Sequence, residues 1–217
     1  MIELGIKVTL GYLLGSVLGS LLVGYFYGGV DIRKLGSGNA GGTNALRTQG
    51  KSFALLVMIV DVGKGILAAA AIPPLVLPGI GLDAEVPRSL VLYTVAFAAI
   101  VGHVFPVWFG FRGGKGGATA AGLLCYLAPG AAIPVLGAWI LIVFTTGYVG
   151  LATISATLTA VVYVGATGLP EQSGLFLFAC GTCALLVYAH RGNIARMIAG
   201  TESRFSSPVV RWLRRGQ

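Results

Sequence analysis

"IELGIKVTLGYLLGSVLGSLLVGYF", residues 2–26, decides the class of this protein: an apolar run charged only at Glu3 and Lys7, both near its start. About 20 apolar residues in a helix cross the hydrocarbon of a bilayer. This run is too long for the core of a cleavable signal, has no basic region before it and is followed by more runs of its kind, so it reads as a permanent membrane helix. The whole chain agrees. Of its 217 residues 56% are hydrophobic and 10% charged, and the mean hydropathy of +0.87 lies far outside the range of a soluble globular domain.

Apolar runs bounded by Gly, Pro or charge give seven candidate spans, at about 2–26, 53–72, 88–106, 116–128, 131–147, 149–167 and 174–190. The net charge of +8 would suggest nucleic acid in a soluble protein; here its distribution points to a membrane instead. Arg33, Lys34, Arg47 and Lys51 follow span 1, Arg112 and Lys115 follow span 3, and Arg191, Arg196, Arg204, Arg211, Arg214 and Arg215 follow span 7. These are the odd-numbered exits, and the positive-inside rule makes them cytoplasmic. Glu3, Asp83, Glu85 and Glu171 collect on the other side. The expectation is an all-α integral membrane protein of seven transmembrane helices, N-terminus outside and C-terminus cytoplasmic, with 1–217 a single polytopic membrane domain, a lipid bilayer around it, no nucleic-acid partner and no obligate protein partner.

Span 4 is the odd one. Its 13 residues, Gly116 to Ala128, make a helix of roughly 20 Å against a hydrocarbon core of about 30 Å. Either the loop before it dips into the membrane or neighbouring helices shield it, and both put its N-terminus in a protein-lined cavity. Gly11, Gly15 and Gly19 lie at four-residue spacing on one face of span 1 and predict close helix packing. Cys125, Cys180 and Cys183 sit in apolar stretches and read as small packing residues.

Three polar clusters fall on the cytoplasmic side. The first is "KLGSGNAGGTNALRTQGK", residues 34–51. Gly36, Gly38, Gly41 and Gly42 allow close backbone approach and an anion nest, Ser37, Asn39, Thr43 and Asn44 add neutral donors, and Arg47 offers a fork suited to phosphate. The competing reading is a flexible loop with ordinary positive-inside charge. The second, "FGFRGGKGGAT", residues 109–119, sets Gly113, Gly114, Gly116 and Gly117 around Lys115 and runs into the short helix, so that backbone donors, a helix dipole and a point charge converge on an oxyanion. The third, "YAHRGNIARMIAGTESR", begins where span 7 emerges. Its His190 and Asn193 at i, i+3 share a face if the helix continues. Asp61 and Lys64 lie inside span 2, where they neutralise each other or brace Arg47, and His103 lies at the cytoplasmic end of span 3.

Other chemistries are disfavoured. The second cluster does not fit G-x-x-x-x-G-K-[ST] and follows no strand, Asp31, Asp61 and Glu202 form no carboxylate cluster for Mg²⁺, and no G-x-S-x-G elbow is present. No metal and no cofactor are expected. By residues alone the chain is a membrane protein that binds a phosphorylated ligand from the cytoplasm, either an enzyme or a transporter or scramblase for phosphorylated solutes. Few polar residues in spans 5 to 7 could line a route across.

"DIRKLGSGNAGGTNALR", "GHVFPVWFGFRGGKGGAT" and "HRGNIARMIAGTE" resemble, in order, the three motifs of the bacterial acyl-phosphate:glycerol-3-phosphate acyltransferase family, the PlsY family. The resemblance implies metal-independent direct transfer of a fatty acyl group from acyl phosphate to the 1-hydroxyl of glycerol 3-phosphate, giving lysophosphatidic acid and phosphate, the first step of phospholipid biosynthesis, at a bacterial inner membrane with the site facing the cytoplasm. It implies that Ser37, Arg47, Lys115, His190 and Asn193 are catalytic. Gly38, Asn39, Gly41, Gly42, Thr43 and Asn44 would bind substrate with Gly113, Gly114, Gly116 and Gly117, and Glu202 would be structural. Ala40 stands where the family often has a residue such as Pro, and Gly42 and Gly117 stand where Ala and Val are common. An acyltransferase using acyl-CoA or acyl carrier protein is a rival, but its H-x-x-x-x-D signature occurs at neither His103 nor His190.

Overall fold

The structure, a computed structural model, describes residues 1–205; Arg211, Arg214 and Arg215 of the expected basic tail lie outside the described residues. The described residues are helical, without strands. They fall into two compact units, the first Met1–Leu127 and the second from Ala128 onward. Among the described residues four helical stretches are long and apolar enough to cross a bilayer, or six if each of two bent pairs is one crossing.

The first unit contains α1 (Ile2–Gly15), α2 (Gly19–Phe26), α3 (Gly42–Gln49), α4 (Lys51–Ala71), α5 (Arg88–Val104) and α6 (Gly117–Leu127). The run expected as one helix over 2–26 is α1 and α2, bent by 48°. The cause is local. Ser16 turns both its N–H and its Oγ back onto the Tyr12 carbonyl, Leu18 is extended and fully buried, and groups from α4 and not lipid take the backbone atoms that the break exposes. The Lys64 ammonium donates to the Val17 carbonyl at 2.6 Å, and Asp61 Oδ1 accepts the Gly19 N–H at 3.1 Å. A cation thus meets the negative end of α1 and an anion the positive end of α2.

The glycine spacing in this run does what it predicts. A Cβ on Gly11 would meet the Val95 carbonyl oxygen at 2.7 Å, one on Gly15 the Ala99 backbone, and one on Gly19 the Val57 carbonyl oxygen at 2.8 Å, so α1 lies against α5 and the break against α4. At the other end of α1, buried Glu3 accepts from buried Lys7 at 2.7 Å and from both arms of Arg88, at 2.6 and 3.0 Å, while Lys7 also donates to the Pro73 carbonyl at 2.5 Å. Paired charges of this kind tie α1 to the start of α5 and to the end of α4.

α6 has 11 residues, so it rises only about 16 Å and falls well short of a bilayer core of about 30 Å. α4 shields it. A Cβ on Gly65 would meet the Thr119 carbonyl oxygen at 2.5 Å, and one on Gly122 would strike the Val62 carbonyl. α3 lies in what the sequence reads as loop.

The second unit contains α7 (Ala132–Thr146), α8 (Val149–Gly168), α9 (Ser173–Ala189) and α10 (Arg191–Ile198). α8 buries a stripe of Ala152, Ala156, Ala160, Val164 and Gly168, four residues apart, as close packing in a membrane requires. α9 and α10 meet at His190 with a bend of 54°. Cys125, Cys180 and Cys183 are free thiols.

Candidate functional site

The first glycine segment is shaped by one side chain. Asn44, in the first turn of α3 and 1% exposed, points its Nδ2 at the carbonyls of Ile32, Leu35 and Asn39, at 2.9, 3.0 and 3.0 Å. Its Oδ1 accepts the Ser37 N–H at 3.0 Å. The loop therefore closes around its own asparagine, over Ile32, Ala40 and Ala45, all fully buried. Gly36 has φ of +57°, and a Cβ there would strike Asn44 Oδ1 and lie 2.7 Å from Thr48 Cγ2, so the tight turn requires glycine. Ser37, Thr43 and Arg47 are left exposed and Asn39 half-buried. Asn44, expected to touch a ligand, engages both ends of its amide with the backbone that carries Ser37.

The second glycine segment is folded back on the end of α5. The Gly114 N–H donates to the His103 carbonyl at 3.1 Å, and a Cβ on Gly113 would lie 2.6 Å from Pro106 Cδ and 2.8 Å from the Val104 carbonyl oxygen. Gly114 and Gly116 are buried, Gly113, Lys115 and Gly117 half-buried. α6 starts at Gly117, so the positive end of its dipole opens directly beyond Lys115.

Arg33 joins the two segments. Its Nη1 donates to the Phe109 carbonyl at 3.4 Å and to the Arg112 carbonyl at 3.3 Å, and the guanidinium lies 5.6 Å from the centre of the Phe109 ring. Asp31 fixes this arm by accepting from Arg33 Nε and Nη2 at 3.0 and 2.9 Å, and those hydrogen bonds hold the Asp31 carboxyl below its usual range. The motif containing Asp31 and Arg33 is legible in the sequence, but nothing in it indicates an acceptor 76 residues away. Asp61 and Lys64 pair at 3.0 Å. They neutralise each other, one of the two sequence readings, and brace the helix break and His103; Arg47, the partner in the other reading, is exposed on α3.

The second unit holds the third motif. His190 sits in the bend between α9 and α10, 4% exposed, with Nδ1 2.7 Å from the Leu186 carbonyl. A carbonyl can only accept, so Nδ1 carries a proton and the lone pair of a neutral ring lies on Nε2. Asn193, also buried, donates to Glu202 Oε1 at 2.6 Å, and Arg196 Nε donates to Glu202 Oε2 at 2.6 Å. A Cβ on Gly150 would lie 3.1 Å from Asn193 Cβ, so α8 backs the asparagine. The helix does not continue straight through His190 and Asn193, yet both side chains are buried.

The family model for "Glycerol-3-phosphate acyltransferase" matches residues 6–200. A glycerol-3-phosphate acyltransferase of Synechococcus sp. (strain JA-2-3B'a(2-13)) is 40% identical over 194 residues, covering 89% of this chain and 90% of that protein. One of Aquifex aeolicus (strain VF5) is 37% identical, covering 91% and 97%. The crystal structure of PlsY (YgiH), an integral membrane glycerol 3-phosphate acyltransferase, in its glycerol 3-phosphate form superposes with a TM-score of 0.80 at 36% identity, covering 94% of this chain and 96% of that one. The form with lysophosphatidic acid gives 0.80 at 35% identity.

Proposed function

This chain belongs to the glycerol-3-phosphate acyltransferase family, and from that premise we propose that it moves a fatty acyl group from acyl phosphate to the 1-hydroxyl of glycerol 3-phosphate at the cytoplasmic face of a bacterial inner membrane. It is a multi-pass membrane enzyme, a glycerol-3-phosphate acyltransferase. The observation that carries the finer reading is the pair of glycine segments in one compact unit, bridged by Arg33. Two phosphorylated substrates need two neighbouring anion cradles, each with a cation: Arg47 beside the first segment, Lys115 within the second.

In the reaction, the 1-hydroxyl oxygen bonds to the acyl carbon, the bond from that carbon to the phosphate oxygen breaks, and inorganic phosphate leaves. Acyl phosphate already carries a good leaving group, so no covalent serine intermediate is needed, and Ser37 serves as a hydrogen-bond donor. Arg47 and Lys115 hold phosphate charge and stabilise what develops in the transition state. Gly38, Asn39, Gly41, Gly42 and Thr43 flank the first anion; Gly113, Gly116 and Gly117 give backbone access to the second, and Gly114, its N–H held by the His103 carbonyl, anchors that segment. Asn44 positions Ser37 through the loop, and Glu202 positions Asn193. The hydroxyl proton passes to His190 Nε2 or to a donor phosphate oxygen. The wrapping of α6 by α4 supports counting it as a seventh crossing, with the N-terminus outside and the basic exits in the cytoplasm.

The test incubates purified protein with glycerol 3-phosphate and either acyl phosphate or acyl-CoA, with a chelator present. Lysophosphatidate from acyl phosphate alone is expected. Product from acyl-CoA alone, or solute flux in vesicles without product, sinks the proposal. Replacing His190 with Gln resolves the proton's destination: loss of the acidic limb of the rate–pH profile identifies an imidazole base, and an unchanged profile with substantial activity assigns the proton to phosphate.

A further inference from the structure

Buried charge in α4 reaches the second glycine segment through one imidazole. The Lys64 ammonium, almost fully buried, has three hydrogens and three acceptors: the Val17 carbonyl at 2.6 Å, His103 Nδ1 at 2.8 Å and Asp61 Oδ1 at 3.0 Å. An ammonium only donates, so Nδ1 of His103 accepts, and the ring carries its proton on Nε2. That edge faces the glycine segment. A Cβ on Gly114 would fall onto Nε2, with Cδ2 and Cε1 both 3.1 Å away, so the ring points edge-on at Gly114. The backbone of His103 holds the same residue, through the Gly114 N–H. Gly114 is thus clamped between a carbonyl and an imidazole, and Lys115 is the next residue along.

We infer that Asp61, Lys64 and His103 form a positioning relay that sets the second glycine segment, and with it Lys115, for binding a substrate phosphate. The inference rests on the reading of that segment as an anion cradle. The ion pair fixes the ring's tautomer and rotation, and the ring fixes the height of Gly114 above the end of α5. A buried ion pair with a neutral imidazole against it is a costly way to make a mere brace, since well-packed apolar residues brace as well. What apolar residues cannot supply is an imidazole locked in one orientation. The relay also engages the break between α1 and α2 through Val17 and Gly19, so the end of α1, α4, α5 and the glycine segment share one set of hydrogen bonds.

Two replacements of His103 separate positioning from bracing. His103→Asn puts an acceptor where Nδ1 lay and keeps the ammonium bonded, but is too short to reach Gly114. His103→Gln reaches Gly114 but leaves Lys64 one acceptor short. Steady-state kinetics with each substrate varied, and Tm, are measured on the full chain, with Lys115→Met identifying which substrate the segment binds. The expected result for His103→Asn is a Tm close to the parent and a KM for that substrate raised about tenfold, with kcat changed less than about threefold. For His103→Gln it is a Tm lowered by several degrees and a KM within about threefold of the parent. A merely structural trio makes KM follow Tm across the two variants, and that result, or an unchanged KM in His103→Asn, overturns the inference. If Lys115→Met moves neither KM, the cradle reading itself fails.

Discussion

The two glycine segments of the first unit look alike in sequence and are held by opposite means. The first closes on Asn44, whose partners lie only 5 to 12 residues away along the chain. The second is laid against the last turn of α5, and its surroundings are set by Lys64, 39 residues before His103, and by Arg33, 76 and 79 residues from its acceptors. A loop organised from within depends on one residue. A loop organised from outside depends on the packing of several helices and yields more gradually.

The largest effect that breaks this contrast is expected from Asn44→Ala. It removes four hydrogen bonds at once and leaves their partners inside the loop, so the cost is about 3 kcal/mol or more and activity falls at least ~100-fold, read by thermal unfolding and initial rate. A milder loss would mean that the apolar floor of Ile32, Ala40 and Ala45 holds the loop without its asparagine.

A pair of glycine replacements comes next. Gly36 and Gly110 have nearly the same backbone, φ +57° and +63°, but a Cβ on Gly36 collides with Asn44 and Thr48 while one on Gly110 meets nothing within 4 Å. Gly110→Ala is expected to cost only the left-handed conformation, about 1 kcal/mol, and Gly36→Ala roughly 2–3 kcal/mol with about a tenfold lower rate. Equal losses would mean that backbone conformation alone governs both loops.

Arg33→Lys is smaller still. It keeps the charge but not the fork that takes Asp31 on one side and two carbonyls on the other, so kcat/KM should fall about threefold to tenfold with little change in Tm. Unchanged kinetics would remove Arg33 as the tie between the loops. The smallest effect concerns pH. Asp31 is held below its ordinary pKa by Arg33, so its contribution is complete above the ordinary aspartate value near 3.8 and is lost as pH falls through the lower folded value. Because this pair is partly exposed, screening keeps it below about 1 kcal/mol. Asp31→Asn should therefore leave the Tm–pH curve unchanged in shape between pH 5 and 8, and any steepening in that window would contradict the assignment.

Much of this was legible beforehand for reasons that differ by residue. Gly11, Gly15 and Gly19 announced a close-packed face because periodicity is a local property of a helix. The third motif announced His190, Asn193 and Glu202, and the structure adds that Glu202 holds both Asn193 and Arg196. The bend at residues 16–18 was not legible: hydropathy averages over it, and its polar atoms are satisfied by Asp61 and Lys64, some forty residues on. α3 was missed because eight largely polar residues carry too little pattern, and with it the inward direction of Asn44.

Composition and the spacing of apolar runs determined by themselves that this chain lives in a bilayer as helices, because hydrocarbon admits few other ways to satisfy a backbone. The order and chemistry of three short motifs determined the family. Only the tertiary structure decided which polar residues support and which are presented: Asn44, Asp61, Lys64 and His103 turn inward, whereas Ser37, Thr43 and Arg47 stand exposed. The physical reason is that a buried donor must find its acceptor wherever the fold brings one, and in this protein the fold brings Lys64 to His103 and Arg33 to Phe109 across separations that no local pattern encodes.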